Sequence, residues 1–357
     1  MPHQRLPTCG ARRVVPFELA GTLHLGIPQL ADDMPLTPAY MNGGNSDIDA
    51  LIYCWTQSGF REVERLPVPG GEDLAFFTIA GEPFLATASI RTGAGPYDLN
   101  ALSTVFRRER GHWIAHQSIA TFAAKQCYPF EFAGRHFLAL AQGVTLPNIA
   151  PRHPPESRIL EWDGAGFRDF QILEGRWGYG FCGFELDNER YLAYADHTSA
   201  SLLYRWKGDQ FVPVQSFAAQ GGRAFRFFLK DNAAWLAFAT ISGESTLYRW
   251  DGDQFVPHQN LGGPGGRAFE LIHASGELYL VRVCFIEGTP AAPKTDLRSQ
   301  IYHWSEGGFR TIAEFPTFGG TDAAAFAREG QLYLAVANSL TADVRFRQDT
   351  IIYRLHL

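Results

Sequence analysis

Charged and aromatic side chains recur at matching positions along this 357-residue sequence. Arg223 and Arg267 each stand in a Gly-Gly-Arg-Ala-Phe segment, and the two arginines lie 44 residues apart. Guanidinium groups bind anions and stabilise negative charge that develops during a reaction. Five further pairs align with these two, so that the full set has mixed charge with a basic majority: Arg12-Arg13, Glu72-Asp73, Lys125-Gln126, Tyr179-Gly180, Arg223-Ala224, Arg267-Ala268 and Thr321-Asp322.

Convergent polar groups of this kind predict a binding site for a small organic ligand, anionic or aromatic. If the site is catalytic, Tyr179, Arg223 and Arg267 are the candidate catalytic residues. The alternative is that the charges are solvated or pair with one another between neighbouring repeats. The candidate ligand-binding residues are Arg12, Arg13, Glu72, Asp73, Lys125, Trp177 and Asp322.

Three other segments carry side chains that suit a site. The aromatic-glycine segment Arg176-Trp-Gly-Tyr-Gly-Phe181 offers a stacking surface for a cation or an aromatic ring, or else packs between repeats. Asn42-Gly-Gly-Asn-Ser-Asp-Ile-Asp49 places oxygen side chains at alternate positions. It lacks the closing glutamate of a calcium loop, so a plain turn is favoured. His153-Pro-Pro-Glu156 is either a stiff lid or simply a stiff loop.

Standard catalytic motifs are absent from the sequence. It contains no GxSxG elbow, HExxH pair, Walker loop or dinucleotide fingerprint, and its eleven histidines are dispersed. The five cysteines include no CxxC pair, which argues against a disulfide framework or a zinc cluster and favours buried free thiols. We therefore expect neither a cofactor nor a metal, and no motif names a reaction.

An internal repeat must position the candidate residues. Leu202-Leu-Tyr-Arg-Trp-Lys-Gly-Asp-Gln-Phe-Val-Pro-Val-Gln recurs 44 residues later as Thr246-Leu-Tyr-Arg-Trp-Asp-Gly-Asp-Gln-Phe-Val-Pro-His-Gln. Self-similarity at a fixed period indicates a repeat architecture. The second half of the unit, an apolar strand followed by a turn and aromatic-Leu-Ala, occurs seven times, at 17–26, 77–86, 130–139, 184–193, 228–237, 272–281 and 326–335.

Each unit alternates apolar and polar residues in short runs bounded by turn residues, which predicts four antiparallel strands. Seven such units predict an all-β, seven-bladed β-propeller that forms a single domain over residues 1–357. The repeated Trp and Phe should pack between blades. The last unit lacks a fourth strand, and Met1-Pro-His-Gln-Arg-Leu aligns with Val256-Pro-His-Gln-Asn-Leu. The N-terminal strand is therefore predicted to close the last blade and cover its edge.

Strand order also predicts which face of the propeller carries the loops that form a functional site. The connections between the second and third strands emerge on the face where one blade joins the next. Five of them are long, at 27–50, 91–103, 142–157, 286–299 and 339–349, and two are short, at 197–201 and 241–245. Long loops on a rigid scaffold commonly carry function, so this face is the expected site of binding.

The composition limits the classes of partner that the protein is expected to bind. The formal net charge is −6, which argues against nucleic acid or an anionic membrane as a partner. No apolar run is long enough to span a bilayer, and the N-terminus lacks a secretory signal. The predicted closing strand would be lost on signal cleavage. We therefore expect a cytoplasmic monomer whose partner is a small molecule.

The repeat resembles the EAR family, also called EPTP. The residues that carry the resemblance are Tyr248-Arg-Trp250, Phe255, Gln259, Gly320-Thr-Asp322 and Tyr333-Leu-Ala-Val-Ala-Asn338. The resemblance implies a seven-bladed propeller. Members are extracellular recognition modules in animals, and bacterial relatives include an alkylating enzyme of cyclophane biosynthesis. The family's calcium-holding Asp column keeps only Asp73 and Asp322 here, with Arg13, Gln126, Gly180, Ala224 and Ala268 elsewhere, which argues against channel calcium.

Three functions therefore compete. The first is binding of a small organic ligand in the central funnel of the loop face. The second is a biosynthetic alkylation or cyclisation like that of the bacterial relative, with arginine and tyrosine stabilising negative charge. The third is a protein-interaction scaffold, which requires an exposed apolar patch that these polar, proline-rich loops do not suggest.

Overall fold

The computed structural model describes every residue from Met1 to Leu357, and all of its regular elements are β-strands. Seven four-stranded antiparallel sheets are the blades of a seven-bladed β-propeller, which confirms the predicted fold class. A separate two-stranded hairpin lies within the sixth blade's long loop. No helix with the length and apolar character needed to cross a membrane is present.

The chain divides into two compact units. The first, called the N-unit, contains Cys9–Pro38 and Gly43–Tyr179. The second, called the C-unit, contains Met1–Thr8, Ala39–Asn42 and Gly180–Leu357. The assignment of residues 1–357 to a single domain stays a prediction.

Strands are numbered along the chain, and the strands of each blade are given from the innermost outward. The first strand, β1 (Pro2–Leu6), is the outermost strand of the last blade. The N-unit holds blades one to three. Their strands are β2 (Val15–Leu19), β3 (Thr22–Ile27), β4 (Asp49–Trp55) and β5 (Phe60–Pro67); β6 (Gly71–Ile79), β7 (Glu82–Ser89), β8 (Leu102–Glu109) and β9 (His112–Ala120); and β10 (Gln126–Phe132), β11 (Arg135–Ala141), β12 (Arg158–Trp162) and β13 (Phe167–Ile172).

Blades four to seven belong to the C-unit, apart from the first two residues of blade four. Blade four has β14 (Gly178–Leu186), β15 (Glu189–Asp196), β16 (Ser201–Lys207) and β17 (Gln210–Phe217), and blade five has β18 (Gly222–Lys230), β19 (Ala233–Thr240), β20 (Thr246–Trp250) and β21 (Phe255–Asn260). Blade six has β22 (Gly266–Ala274), β23 (Glu277–Cys284), β26 (Asp296–Ser305) and β27 (Gly308–Phe318), and the hairpin β24 (Glu287–Thr289) and β25 (Ala292–Lys294) lies between β23 and β26. Blade seven has β28 (Gly320–Arg328), β29 (Gln331–Asn338), β30 (Thr350–Leu355) and β1.

Burial follows the position of each strand within its blade. The second strands are buried along most of their length, as in β19, whose sequence is Ala-Ala-Trp-Leu-Ala-Phe-Ala-Thr. Small residues between large ones let neighbouring blades approach. The outermost strands are exposed or half-buried along most of their length, as in β17. The repeated aromatic residues pack between blades as predicted: the Trp235 and Trp304 rings of blades five and six lie 4.8 Å apart at 69°.

The N-terminal strand closes the last blade, as predicted. β1 pairs antiparallel with β30, with Pro2 opposite Tyr353 and Leu6 opposite Thr350. Beyond the strand, the Thr8 hydroxyl donates to the Gln348 carbonyl at 2.7 Å. These bonds cover the backbone edge that β30 would otherwise expose.

The loop lengths also match the sequence prediction. The connections between second and third strands are long in blades one, two, three, six and seven, and short in blades four and five. The first two strands of each blade are joined by tight turns. In blade four the turn residues Asp187 and Asn188 have φ of 52° and 61°, the left-handed conformation that two-residue hairpins require.

Candidate functional site

The predicted site residues lie where each innermost strand begins. In β6, β18, β22 and β28 the register with the second strand shifts by one residue at this point. A bulge of this kind redirects the side chain of the extra residue. The residues at the four bulges are Glu72, Arg223, Arg267 and Thr321. The repeat alignment had already made these four positions equivalent.

In the N-unit, two arginines before β2 pair with two acids of β6. Arg12 Nε lies 3.2 Å from Glu72 Oε1, and Arg13 Nη1 lies 3.0 Å from Asp73 Oδ1. The side chain of Asp73 is fully buried, whereas that of Arg13 is 34% exposed. The two pairs join the inner strands of blades one and two, so these charges compensate one another between blades.

The Asp73 carboxylate also reaches the third blade. Its Oδ2 accepts a hydrogen bond of 2.9 Å from the backbone N–H of Cys127 in β10. Burial, with a smaller contribution from the negative charge of Asp73, raises the pKa of the Cys127 thiol well above its usual value. Cys127 therefore stays protonated, and its Sγ lies 3.3 Å from the Thr87 carbonyl, to which it donates. The Asp73 carboxylate thus connects β6 with β10 and with the segment before β2.

A second N-unit cluster surrounds Lys125. Its Nζ donates 2.7 Å hydrogen bonds to the carbonyls of Ala123 and Gly143. The ammonium lies 5.4 Å from the ring centroid of Tyr179 and 6.0 Å from that of Trp177. The cation beside the aromatic-glycine segment is thus a side chain of the same chain. Stacking of this segment on a ligand stays a prediction.

Replacing this lysine tests whether the cluster is structural. Lys125→Met keeps the length of the side chain but leaves two carbonyls without their charged donor, so we expect unfolding free energy to fall by about 2–4 kcal/mol. Urea denaturation measures the loss. Lys207→Met, at an exposed lysine, is the matched control and should change stability by no more than about 0.5 kcal/mol. Equal stability of the two variants would show that Lys125 does not fix this loop.

In the C-unit, Arg223 is held by its surroundings. The side chain is 8% exposed, and Nη1 donates to the carbonyls of Gly221 and Gly222 at 3.3 and 3.0 Å. The same nitrogen lies 2.9 Å from Nδ1 of His197. Because an arginine only donates, Nδ1 is the acceptor in this pair.

Arg267 occupies the same position on the next inner strand. It is half-buried, and its guanidinium carbon lies 6.0 Å from the ring centroid of Phe285. Asp322 of β28 is also half-buried. Three neighbouring inner strands of the C-unit thus present two guanidinium groups and one carboxylate, with a histidine and a phenylalanine beside the arginines.

The structure brings the predicted residues together in separate groups. The four residues Arg12, Arg13, Glu72 and Asp73 form one network, and Lys125, Trp177 and Tyr179 form another, both in the N-unit. Arg223, Arg267 and Asp322 belong to the C-unit. Sequence reasoning missed His197 and Phe285. The signal for both was available, because each directly follows a second strand, where the connections of the loop face begin.

The calcium-like loop uses its oxygen atoms within the N-unit. The Ser46 hydroxyl accepts from Arg91 Nε at 2.8 Å, and Asp47 Oδ1 accepts from the backbone N–H of Gly93 at 2.8 Å. The Tyr97 hydroxyl donates to the Gly44 carbonyl at 2.7 Å. These contacts tie the loop to the long loop of blade two, as expected of a structural turn.

The proline-rich loop of blade three is held in a similar way. His153 Nδ1 lies 2.9 Å from the Thr121 carbonyl, and the backbone N–H of His153 donates to Asn100 Oδ1 at 3.0 Å. Gln142 Nε2 donates to the carbonyls of Pro154 and Glu156, each at 2.7 Å. Of the two interpretations of His153–Glu156, these bonds favour the stiff loop.

Comparison with known proteins supports the repeat architecture of the chain. The sequence matches the EPTP domain at residues 166–207, 210–251, 254–305 and 308–356, more than half of the chain. A human relative, "Thrombospondin-type laminin G domain and EAR repeat-containing protein", is 26% identical over 132 residues, which are 37% of this chain and 19% of that protein. The matched region therefore spans about a fifth of the curated relative's length.

A solved structure shares the fold. A putative 6-phosphogluconolactonase from Bacteroides uniformis superposes with a TM-score of 0.60 at 14% identity, over 89% of this chain and 91% of that one. The SapL1 lectin in complex with alpha methyl fucoside superposes with a TM-score of 0.47 at 12% identity, over 79% of this chain and 92% of that one. At such identities only the fold is comparable. The chain belongs to the EPTP family, whose units are the EAR repeats.

Proposed function

We propose that this propeller binds a small organic anion where β18 and β22 begin, with Arg223 and Arg267 as the principal contacts. The observation that carries the proposal is their placement. The two guanidinium groups occupy equivalent bulged positions on inner strands of adjacent blades. Paired guanidinium groups suit a carboxylate or phosphate, because each presents several N–H donors in a fixed plane.

The surroundings of the two arginines support different roles. Arg223 is nearly buried and oriented by two backbone carbonyls and His197, so little side-chain entropy is lost when a ligand binds. Arg267 is more exposed and lies over the Phe285 ring. That ring favours a ligand with an aromatic or apolar part beside its acidic group. The Asp322 carboxylate favours a ligand that also carries a hydrogen-bond donor.

The N-unit residues have contacts that suit a supporting role. Arg12 and Arg13 are paired with acids, and Lys125 donates to two carbonyls. Contact between these residues and the ligand stays a prediction, as does a catalytic role for Tyr179. The alkylating enzyme and the protein-interaction scaffold stay alternatives.

Other properties are part of the proposal. None of the five cysteines forms a disulfide bond, which suits a reducing compartment such as the cytoplasm. The net charge of −6 supports a small-molecule ligand over nucleic acid or an anionic membrane. We expect a monomer, and sedimentation velocity at several protein concentrations tests this.

The binding site is tested with simple aromatic anions. Phenyl phosphate and benzoate are titrated by ligand-observed NMR, with benzyl alcohol as the neutral control. We expect both anions to bind in preference to the alcohol, and Arg267→Ala to weaken their binding at least about tenfold, which corresponds to the loss of one charge-assisted contact of about 1.4 kcal/mol.

Matched variants separate binding from folding. Arg223→Lys keeps the charge but loses the planar fork, so it should weaken binding while the protein stays folded. Arg310→Ala removes an exposed arginine paired with Glu306 and should bind like the wild type. Unchanged affinity in both Arg267→Ala and Arg223→Lys, or equal binding of anions and alcohol, would contradict the proposed site.

A further inference from the structure

A concave region of the C-unit lies beside blade six, next to the segment that leads into β22. Its volume is about 660 Å³. The walls come from the segment that joins blades five and six, from β23, β26 and β27, and from the hairpin β24–β25. The side chains that matter for its chemistry are Arg282, Cys284, Arg298, Gln300 and Tyr302.

Arg282 is the central feature of this hollow. Only 3% of the residue is exposed. Nη2 donates to the carbonyls of Gly263 and Pro264, and Nη1 donates to Gln300 Oε1 at 3.0 Å and to Cys284 Sγ at 3.4 Å. Nε donates to the Ser245 hydroxyl at 3.4 Å. Every acceptor is neutral, and no carboxylate pairs with this guanidinium.

A buried charge without a counter-charge is unfavourable. Neutral acceptors satisfy its hydrogen bonds but leave the net charge uncompensated, which destabilises the folded state. The other arginine of the hollow is compensated, because Arg298 pairs with Glu314 at 3.2 Å. An anion that enters the hollow would therefore gain most at Arg282.

An anion would reach Arg282 by displacing the Cys284 thiol from Nη1. Nη1 donates one of its N–H groups to the Cys284 thiol, and sulfur is a weak acceptor. A carboxylate or phosphate oxygen at this position would form a shorter, charge-assisted hydrogen bond. Tyr302 is 6% exposed and donates to the Leu261 carbonyl at 2.5 Å, and burial raises its pKa to about 12. Tyr302 is therefore an uncharged part of the wall. The exposed acids Asp296 and Glu287 lie at the mouth of the hollow.

We propose that this hollow is an anion site, in which Arg282 binds the carboxylate or phosphate group of a small organic molecule. The exposed Lys294 and Arg298 at the mouth, which pair with Glu287 and Glu314, can exchange those partners for further acidic groups of the ligand. The proposal does not depend on Arg223 or Arg267.

The first test uses inorganic phosphate and citrate as probes. Thermal unfolding is followed at constant ionic strength, with sodium chloride as the balancing salt. At saturating probe we expect the melting temperature of the wild type to rise by about 2–4 °C. Gln300→Glu places a carboxylate beside Arg282 with the shape of the side chain kept, and should abolish the rise. Gln210→Glu adds the same charge at an exposed position and should keep it.

The Arg267→Ala variant separates this site from the one proposed above. A rise that persists in Arg267→Ala and is lost in Gln300→Glu supports the site at Arg282. A rise that is lost in Arg267→Ala but persists in Gln300→Glu assigns the anion to the inner strands and overturns the proposal. The absence of any rise with either probe in the wild type overturns it as well.

A local readout comes from Cys284, whose sulfur contacts Arg282. Alkylation by anionic iodoacetate and by neutral iodoacetamide is followed at each cysteine by peptide mass spectrometry. The ratio of the two rates at Cys284 should exceed that at half-buried Cys54 by about fivefold, since the guanidinium attracts the anionic reagent. Gln300→Glu should remove the difference. Equal ratios at the two cysteines in the wild type contradict an anion-attracting hollow.

Discussion

Deletion of residues 1–7 should lower the unfolding free energy of the chain by about 5 kcal/mol or more, which is comparable to the whole stability of many domains. The deletion removes every strand pair between β1 and β30, and each backbone hydrogen bond contributes about 1 kcal/mol. It also removes Leu6, which is 2% exposed, and burial of a leucine is worth about 2–4 kcal/mol. Circular dichroism during heating measures the loss, and the bared edge of β30 should promote association that size-exclusion chromatography detects.

Point variants show which part of the strand matters. Arg5→Ala removes an exposed side chain 3.9 Å from Asp349 and should change stability by less than about 0.5 kcal/mol. Leu6→Ala should lie between this variant and the deletion. Melting of the deletion variant at the wild-type temperature, with a monomeric elution profile, would mean that the last blade does not need its fourth strand.

The fold could be predicted because the repeat fixes many positions at once. The strand that begins near Leu202 and the one that begins at Thr246 have nearly the same residues, and both form the third strand of a blade. The closing strand followed from the same alignment, because Met1–Leu6 resembles the outermost strand of blade five. Each match excludes alternative registers, since a shift by one residue would turn the apolar side chains outward.

The positions of the candidate site residues on the inner strands could be predicted, but their interactions only partly. Alignment placed Glu72 and Arg223 at equivalent positions, yet one pairs with Arg12 and the other contacts His197. Such differences depend on side-chain rotamers and on the neighbouring blade, which a repeat pattern does not encode. The sequence also allowed the charged residues to pair with one another between blades, and those of blades one and two in the N-unit do so.

Arg282 shows what the repeat pattern hides. Its strand has the sequence Glu-Leu-Tyr-Leu-Val-Arg-Val-Cys, in which an arginine stands where the second strands of blades five and seven have Phe238 and Val336. A charge inside a buried strand was a usable signal, because buried charges are rare without a partner or a ligand. The hairpin β24–β25 was hidden for a different reason: its strands are only three residues long and contain glycine and proline.

The second large effect is expected at Asp73. Asp73→Ala should lower the unfolding free energy by about 3–5 kcal/mol, because it leaves Arg13 without its counter-charge and the buried N–H of Cys127 without its acceptor. Urea denaturation measures this loss. Asp73→Asn keeps an oxygen for the Cys127 N–H but removes the charge, so its loss should be smaller.

The repeat supplies a matched control for this carboxylate. Asp322 has the same register in blade seven, opposite Ala337 as Asp73 is opposite Ala88. It is half-buried, whereas Asp73 is fully buried, so Asp322→Ala should cost less. In a double-mutant cycle, Arg13→Ala with Asp73→Ala should destabilise less than the sum of the single variants, since removal of both charges leaves neither uncompensated. Additive losses, or equal losses for Asp73→Ala and Asp322→Ala, would mean that the stability of the N-unit does not rest on the Arg13–Asp73 pair.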